Sequence, residues 1–173
     1  MIDHGDGGRA PKKYNETGEC LIMNKKKVIA ISSGGGHWVQ LLRLRSMLSE
    51  YSTTWVTVED DYKANVPAGQ EFIKITDATR WSRMDLVKMV LQVWFIVLRI
   101  RPQVIVTTGA APGLAALQIG KFIGCKTIWI DSIANVDELS MSGRHAKRFA
   151  DLWLTQWPHL ARDNGPEYKG AVL

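Results

Sequence analysis

A chain of 173 residues, 46% of them hydrophobic and 23% charged, is long enough to bury one core, and no low-complexity tract argues for disorder. The net charge of +5 suits an anionic membrane surface, a phosphorylated substrate or nucleic acid without choosing among them. Two cysteines, Cys20 and Cys125, make neither a disulfide framework nor a metal cluster, and the first 24 residues lack the apolar core of a secretory signal.

Residues 1–24 form a polar leader in which Arg9, Lys12 and Lys13 stand against Asp3, Asp6, Glu16 and Glu19, so the excess positive charge belongs to the rest of the chain. The leader is expected to be flexible. Met23, followed by Asn24-Lys25-Lys26-Lys27 and an apolar run, offers a second start, which makes residues 1–22 either an upstream extension or a flexible arm.

From residue 25 to residue 173 short β-branched runs alternate with helical patterns, as βαβ units do. The expected fold class is α/β, a Rossmann-like doubly wound parallel sheet forming one domain. The first strand is expected at 27–32, and Ser33-Gly34-Gly35-Gly36-His37 follows it into a helix at 37–49. Glycine lets the backbone approach a ligand there, and the helix start offers free N–H groups to an anion. The alternative is a tight βα connection with no ligand. His37 is one of the few side chain types able to accept a proton near pH 7, or else a capping and packing histidine. The dinucleotide fingerprint fails, because Val39 stands where the third glycine belongs, although Glu59 and Asp60 after the second strand (53–58) mimic its ribose-binding acid.

After a strand at 71–75 comes the least ordinary element, a helix at 83–100 in which only Lys88, Gln92 and Arg99 are polar between Leu86 and Ile100. These three and Asp85 lie within about 60° of one another on the helix circumference. The run is too short and too interrupted to span a bilayer. It is either core or laid into a membrane interface, with Trp94 and Phe95 inserted and Arg83, Lys88, Arg99 and Arg101 reaching headgroups.

A strand at 103–107 leads through Thr107, Thr108, Gly109 and Gly113 to a helix at 112–123, a second candidate anion cradle or a plain helix cap with Pro112 in the first turn. The strand at 126–131 ends on Asp131, beside Ser132, where a carboxylate can take a proton or brace the loop. Ser140-Met141-Ser142-Gly143 then opens a helix at 142–150 whose early cations, Arg144, His145, Lys147 and Arg148, oppose the helix dipole and are expected to face an anion. A strand at 151–155 follows. No His, Asp, Glu or Cys cluster has ligand spacing, so no metal and no other cofactor is expected. Most aromatics sit in apolar runs rather than among basic residues, which speaks against a nucleic-acid partner.

The Ser33–His37 loop, the stretch from Asp131-Ser132 to Leu139–Gly143, the stretch from Asp151-Leu152 to Gln156-Trp157-Pro158, and Tyr168 with Gly170 together resemble a known group. They are similar to the bacterial PssD-type polysaccharide biosynthesis proteins and to the membrane-recruiting subunit of the eukaryotic dolichol-linked N-acetylglucosamine transferase. The resemblance implies the N-terminal, acceptor-binding half of a GT-B glycosyltransferase split between two chains. A PssE-like partner would bind the UDP-sugar, and the acceptor would be a sugar on a polyprenyl diphosphate. It implies His37 as general base with Asp131 as second choice, and acceptor or phosphate contacts from Ser33, Gly34, Gly35, Gly36, Thr108, Gly109, Gly113, Ser132, Ser140 and Ser142. It also implies peripheral attachment to the cytoplasmic face of the inner membrane. The eukaryotic relatives carry an N-terminal membrane anchor that the leader does not supply, which shifts attachment to the helix at 83–100. A stand-alone Rossmann oxidoreductase is the alternative.

Overall fold

The computed structural model describes residues 25–78 and 82–172, together with the backbone of a short antiparallel pair, Lys13–Tyr14 with Cys20–Leu21. The flexibility expected of the rest of the leader lies outside the described residues.

Seven strands form one parallel sheet: β1 (Lys27–Ser32), β2 (Ser52–Thr57), β3 (Glu71–Lys74), β4 (Val104–Gly109), β5 (Lys126–Ile130), β6 (Leu152–Thr155) and β7 (Glu167–Tyr168). Their order in the sheet is β3-β2-β1-β4-β5-β6-β7, and every pairing is parallel. The first six follow the strand order of two mononucleotide-binding halves back to back. Such a sheet must be covered on both faces, and the sequence of β1 meets that need. Ile29 and Ile31 join the cluster formed with Met89, Val93, Val97 and Leu117, whereas Val28 and Ala30 join Trp38, Leu41, Leu48 and Trp55.

Among the described residues five helices supply the covering: α1 (Gly36–Arg43), α2 (Arg45–Leu48), α3 (Arg83–Ile100), α4 (Ala110–Phe122) and α5 (Met141–Ala146). The single helix expected at 37–49 is broken at Leu44, whose N–H turns back to the Leu41 carbonyl at 3.0 Å. The helix expected at 142–150 stops after Ala146. The strand β7 escapes sequence reading because it has two residues, both exposed. A turn of 3-10 helix at Asp60–Asn65, also unanticipated, follows β2.

Local chemistry explains where α3 begins and ends. The Ser82 hydroxyl accepts from the Asp85 N–H at 3.2 Å, capping its start. At the other end Arg101 adopts a left-handed conformation, φ 50°, its N–H reaching the Val97 carbonyl, and Pro102 prevents continuation. The helix presents two apolar faces: Met89, Val93, Ile96 and Val97 are buried, while Met84, Val87, Leu91, Trp94 and Phe95 are exposed. The core reading of this helix thus holds for one face, and the other face is left exposed. Gln92 leaves the polar strip to accept from the Thr76 N–H at 2.8 Å, tying the chain after β3 to α3.

Near the start of β5, Asp151 accepts from the Thr127 N–H at 2.9 Å and from Lys121 of α4, whose ammonium holds the Asp151 carboxyl below the usual carboxylate range. Gly113 packs α4 onto β4: a Cβ there would fall inside the contact distance of Thr107 Oγ1 and 2.9 Å from Thr107 Cβ. Its hydrogen therefore faces its own strand. Helix propensity alone would favour alanine by about 1 kcal/mol. Gly113→Ala is instead expected to lower stability in urea denaturation, because overpacking at a rigid helix-strand contact costs about 1–3 kcal/mol.

Candidate active site at the crevice between β1 and β4

In this strand order the helices after β1 and β4 leave on opposite faces, so a crevice opens between the carboxyl ends of those strands. The loop from Ser33 to Gly36 lines one side. Gly35 has φ 64° and ψ −136°, a conformation that side chains resist, and neither it nor Gly36 has any atom within 4 Å of where a Cβ would stand. The loop thus faces open space. No side chain caps α1, whose first helical bond runs from the Val39 N–H to the Gly35 carbonyl at 3.2 Å. The amides of Gly36, His37 and Trp38 have no intrahelical acceptor by geometry, and they carry the positive end of the helix dipole. Gly34 lies beside Val58, Glu59 and Tyr62, and Ser33 accepts through its carbonyl from the Ser32 and Thr57 hydroxyls.

The other side of the crevice is irregular. Ile31 pairs with Thr107, but Ser32 pairs with Gly109, so Thr108 is an extra residue pushed out of the ladder. Its freed carbonyl lies 2.8 Å from His37 Nδ1, and its hydroxyl donates to the His37 carbonyl at 2.7 Å. A carbonyl only accepts, so Nδ1 carries the proton in that contact and Nε2 of the neutral ring keeps its lone pair. Gly109 (φ 132°) and Ala110 (φ 62°) complete the turn in left-handed territory. A Cβ on Gly109 would stand 2.7 Å from His37 Cε1, which is why that position holds glycine. Of the residues expected in the second loop, Thr108 and Gly109 therefore touch His37, while Gly113 serves packing.

Asp131 is placed differently. It is 2% exposed, and its oxygens take four donors: the Ser140 hydroxyl at 2.6 Å, the Ser140 N–H at 2.9 Å, Trp129 Nε1 at 3.3 Å and Asn135 Nδ2 at 3.4 Å. Four is the full acceptor capacity of a carboxylate, so this group braces the 131–143 loop. Ser140 relays the brace by accepting from the Gly143 N–H at 2.8 Å, the cap of α5, and Ser142 is half-buried in that helix's first turn. Ser132 accepts from Gln40 Nε2 at 3.0 Å. Of the four cations expected to face an anion, Arg144 meets the Glu138 carboxylate at 3.1 Å, whereas Lys147 donates to the Asn164 carbonyl at 2.9 Å.

Sequence reading assigned no role to a buried amide relay beneath the crevice. Gln40, on α1 one turn beyond His37, accepts from the Ile133 N–H at 3.0 Å and from Gln156 Nε2 at 2.6 Å. Gln156 donates also to the Asp131 carbonyl and accepts from the Val172 N–H at 2.8 Å. The only sequence signal was a glutamine inside an apolar run at each position. On the α3 side, Arg83, Lys88, Arg99 and Arg101 are exposed along with Trp94 and Phe95.

Comparison with known proteins bears on this site. Among curated sequences, the chain is 27% identical to the UDP-N-acetylglucosamine transferase subunit ALG14 of Yarrowia lipolytica over 100% of this chain and 80% of that one. It is 24% identical to the protein of the same name from Mus musculus, over 78% and 76% of the two chains. Among solved structures it resembles Acinetobacter baumannii MurG (TM-score 0.67, 10% identity, 83% of this chain) and Rickettsia bellii UDP-N-acetylglucosamine 2-epimerase (0.63, 11%, 86%). It spans 45% of each of those longer chains, and at such identity the likeness establishes the GT-B-like fold alone. The family model described as "Oligosaccharide biosynthesis protein Alg14 like" matches residues 28–172, and this chain belongs to that family.

Proposed function

We propose that this chain is the acceptor-binding, membrane-recruiting subunit of a two-chain glycosyltransferase that moves a sugar from a UDP-sugar to a lipid-diphosphate-linked acceptor in polysaccharide biosynthesis. The observation that carries the reading is the orientation of His37, whose Nδ1 is committed to the Thr108 carbonyl while Nε2 has no hydrogen-bond partner among the described residues. The name shared by its relatives, a UDP-N-acetylglucosamine transferase subunit, supports the same class of reaction. None of the proteins compared above is an oxidoreductase.

In this reading the acceptor diphosphate lies against Ser33, Gly34, Gly35 and Gly36, with Gly109 and the Thr108 backbone opposite. The acceptor hydroxyl passes its proton to His37 Nε2 as its oxygen bonds to the anomeric carbon, and the bond from that carbon to the UDP oxygen breaks with its electron pair leaving on UDP. Asp131, Ser132, Ser140 and Ser142 hold the neighbouring loop in shape. A PssE-like partner chain supplies the UDP-sugar pocket. The chain attaches peripherally to the cytoplasmic face of the membrane through α3. No helix among the described residues is long and apolar enough to cross a membrane. The exposed face of α3 carries Met84, Leu91 and Phe95, each at least 60% exposed, with Arg83, Lys88, Arg99 and Arg101 on and beside the helix. Each cation near an anionic leaflet contributes about 1 kcal/mol, and salt screens it.

Four outcomes test the proposal. The purified chain alone is expected to give no heat with UDP-sugars in calorimetry and no sugar transfer; turnover without a partner overturns the split enzyme. In the assembled enzyme His37→Ala is expected to slow transfer roughly 100-fold or more, the usual contribution of a general base. Asp131→Asn should act mainly on stability, lowering it by about 1–3 kcal/mol in urea because an amide turns a donor toward the donors of Ser140 and Asn135. Finally, the wild type should float with anionic liposomes and partly detach in high salt. Arg99→Glu/Arg101→Glu should float less, and Trp94→Ser/Phe95→Ser should lose the salt-resistant fraction; equal flotation of all three removes α3 from the membrane contact.

A further inference from the structure

We infer that Tyr62 is a ligand-binding group of the glycine loop, its hydroxyl donating a hydrogen bond to a lipid diphosphate held there. The inference rests on the acceptor-subunit reading and extends it to a residue outside both loops. Tyr62 belongs to the 3-10 turn after β2, and its hydroxyl oxygen accepts from the Gly35 N–H at 3.0 Å. The same oxygen lies 3.5 Å from where a Cβ on Gly34 would stand, so it rests against the loop at two successive glycines. The phenolic proton has no acceptor among the described residues, and an oxygen that accepts from an amide is a better donor through its own O–H. That proton is therefore available to an oxygen entering in front of Gly35 and Gly36, where the space is open.

The ring is fixed before any ligand arrives. It stacks on Trp38 at 5.2 Å between centroids and 6° between planes, and Trp38, 1% exposed, is held edge-on by Trp55 at 5.7 Å and Phe72 at 6.4 Å. Only the hydroxyl rotor remains to be ordered on binding, which keeps the entropic cost low. The 3-10 segment also brings Glu59, exposed and with its Cγ 3.5 Å from the Gly34 Cβ position, so an anion on the loop is bound against a nearby carboxylate. A neutral donor already in place offsets part of that repulsion. A lipid diphosphate, rather than a nucleotide, is the fitting source, because the nucleotide belongs to the partner in the reading above.

The test uses the full chain labelled with ¹⁵N-glycine and titrated with geranyl diphosphate, following the amide signals of Gly34, Gly35 and Gly36. These signals are expected to shift on titration, and Tyr62→Phe, which keeps the stacked ring, should bind roughly tenfold more weakly with the same thermal midpoint. Shifts at these glycines with unchanged affinity in Tyr62→Phe overturn the role of Tyr62 and leave the loop reading intact. No shifts, or shifts confined to other glycines, overturn the loop reading and the inference with it. UDP titrated in parallel is expected to leave the three signals unmoved; equal binding of UDP overturns the assignment to a lipid diphosphate.

Discussion

The bulge that expels Thr108 from the β1–β4 ladder is the constraint on which the crevice depends. A regular parallel pairing would consume the Thr108 carbonyl in the sheet, and His37 would have nothing to orient its ring. Freed by one residue of slip, the carbonyl meets Nδ1 and the hydroxyl meets the backbone of α1, so strand and helix clamp each other. The left-handed conformations at Gly109 and Ala110 follow, since the chain has to enter α4 immediately after the extra residue. Strain of that kind, of order 1–3 kcal/mol per residue, persists only where surrounding packing fixes it. Here the packing is Gly113 against Thr107 and α4 against the sheet.

Beneath that clamp lies a layer of buried polar groups whose work is positional. Gln40 and Gln156 together tie α1, the Asp131 loop, the end of β6 and Val172 into one network. Such a network holds a unique arrangement only when its members are satisfied, and the bonds described satisfy both amide oxygens with strong donors. Asp131 belongs to this layer. A carboxylate at the end of a strand beside a crevice has the position of a catalytic base, yet with four donors on two oxygens it has no free acceptor capacity.

The helix α3 shows how a sheet protein accommodates an apolar segment without burying all of it. One stripe, Met89, Val93, Ile96 and Val97, has the spacing of a single helix face and is consumed by the core. The opposite stripe is left outside, edged by cations. Exposed apolar surface of this extent is costly in water.

The sequence by itself determined the α/β class, the positions of β1 to β6, the location of the glycine-bearing loops after β1 and β4 and the exceptional character of α3, because periodicity and glycine placement are properties of neighbouring residues. It also isolated His37 without saying how the ring is held. What only the tertiary structure decided depends on residues far apart in the chain. The bulge at Thr108 arises from pairing with Ser32, the filling of Asp131 from Ser140, the Gln40–Gln156 relay from residues 116 positions apart, and the seating of Tyr62 on Gly35 from a turn that shows no periodicity. A side chain's hydrogen-bonding capacity can be read from its name, but whether that capacity is already spent is fixed by which donors and acceptors the fold brings within about 3 Å.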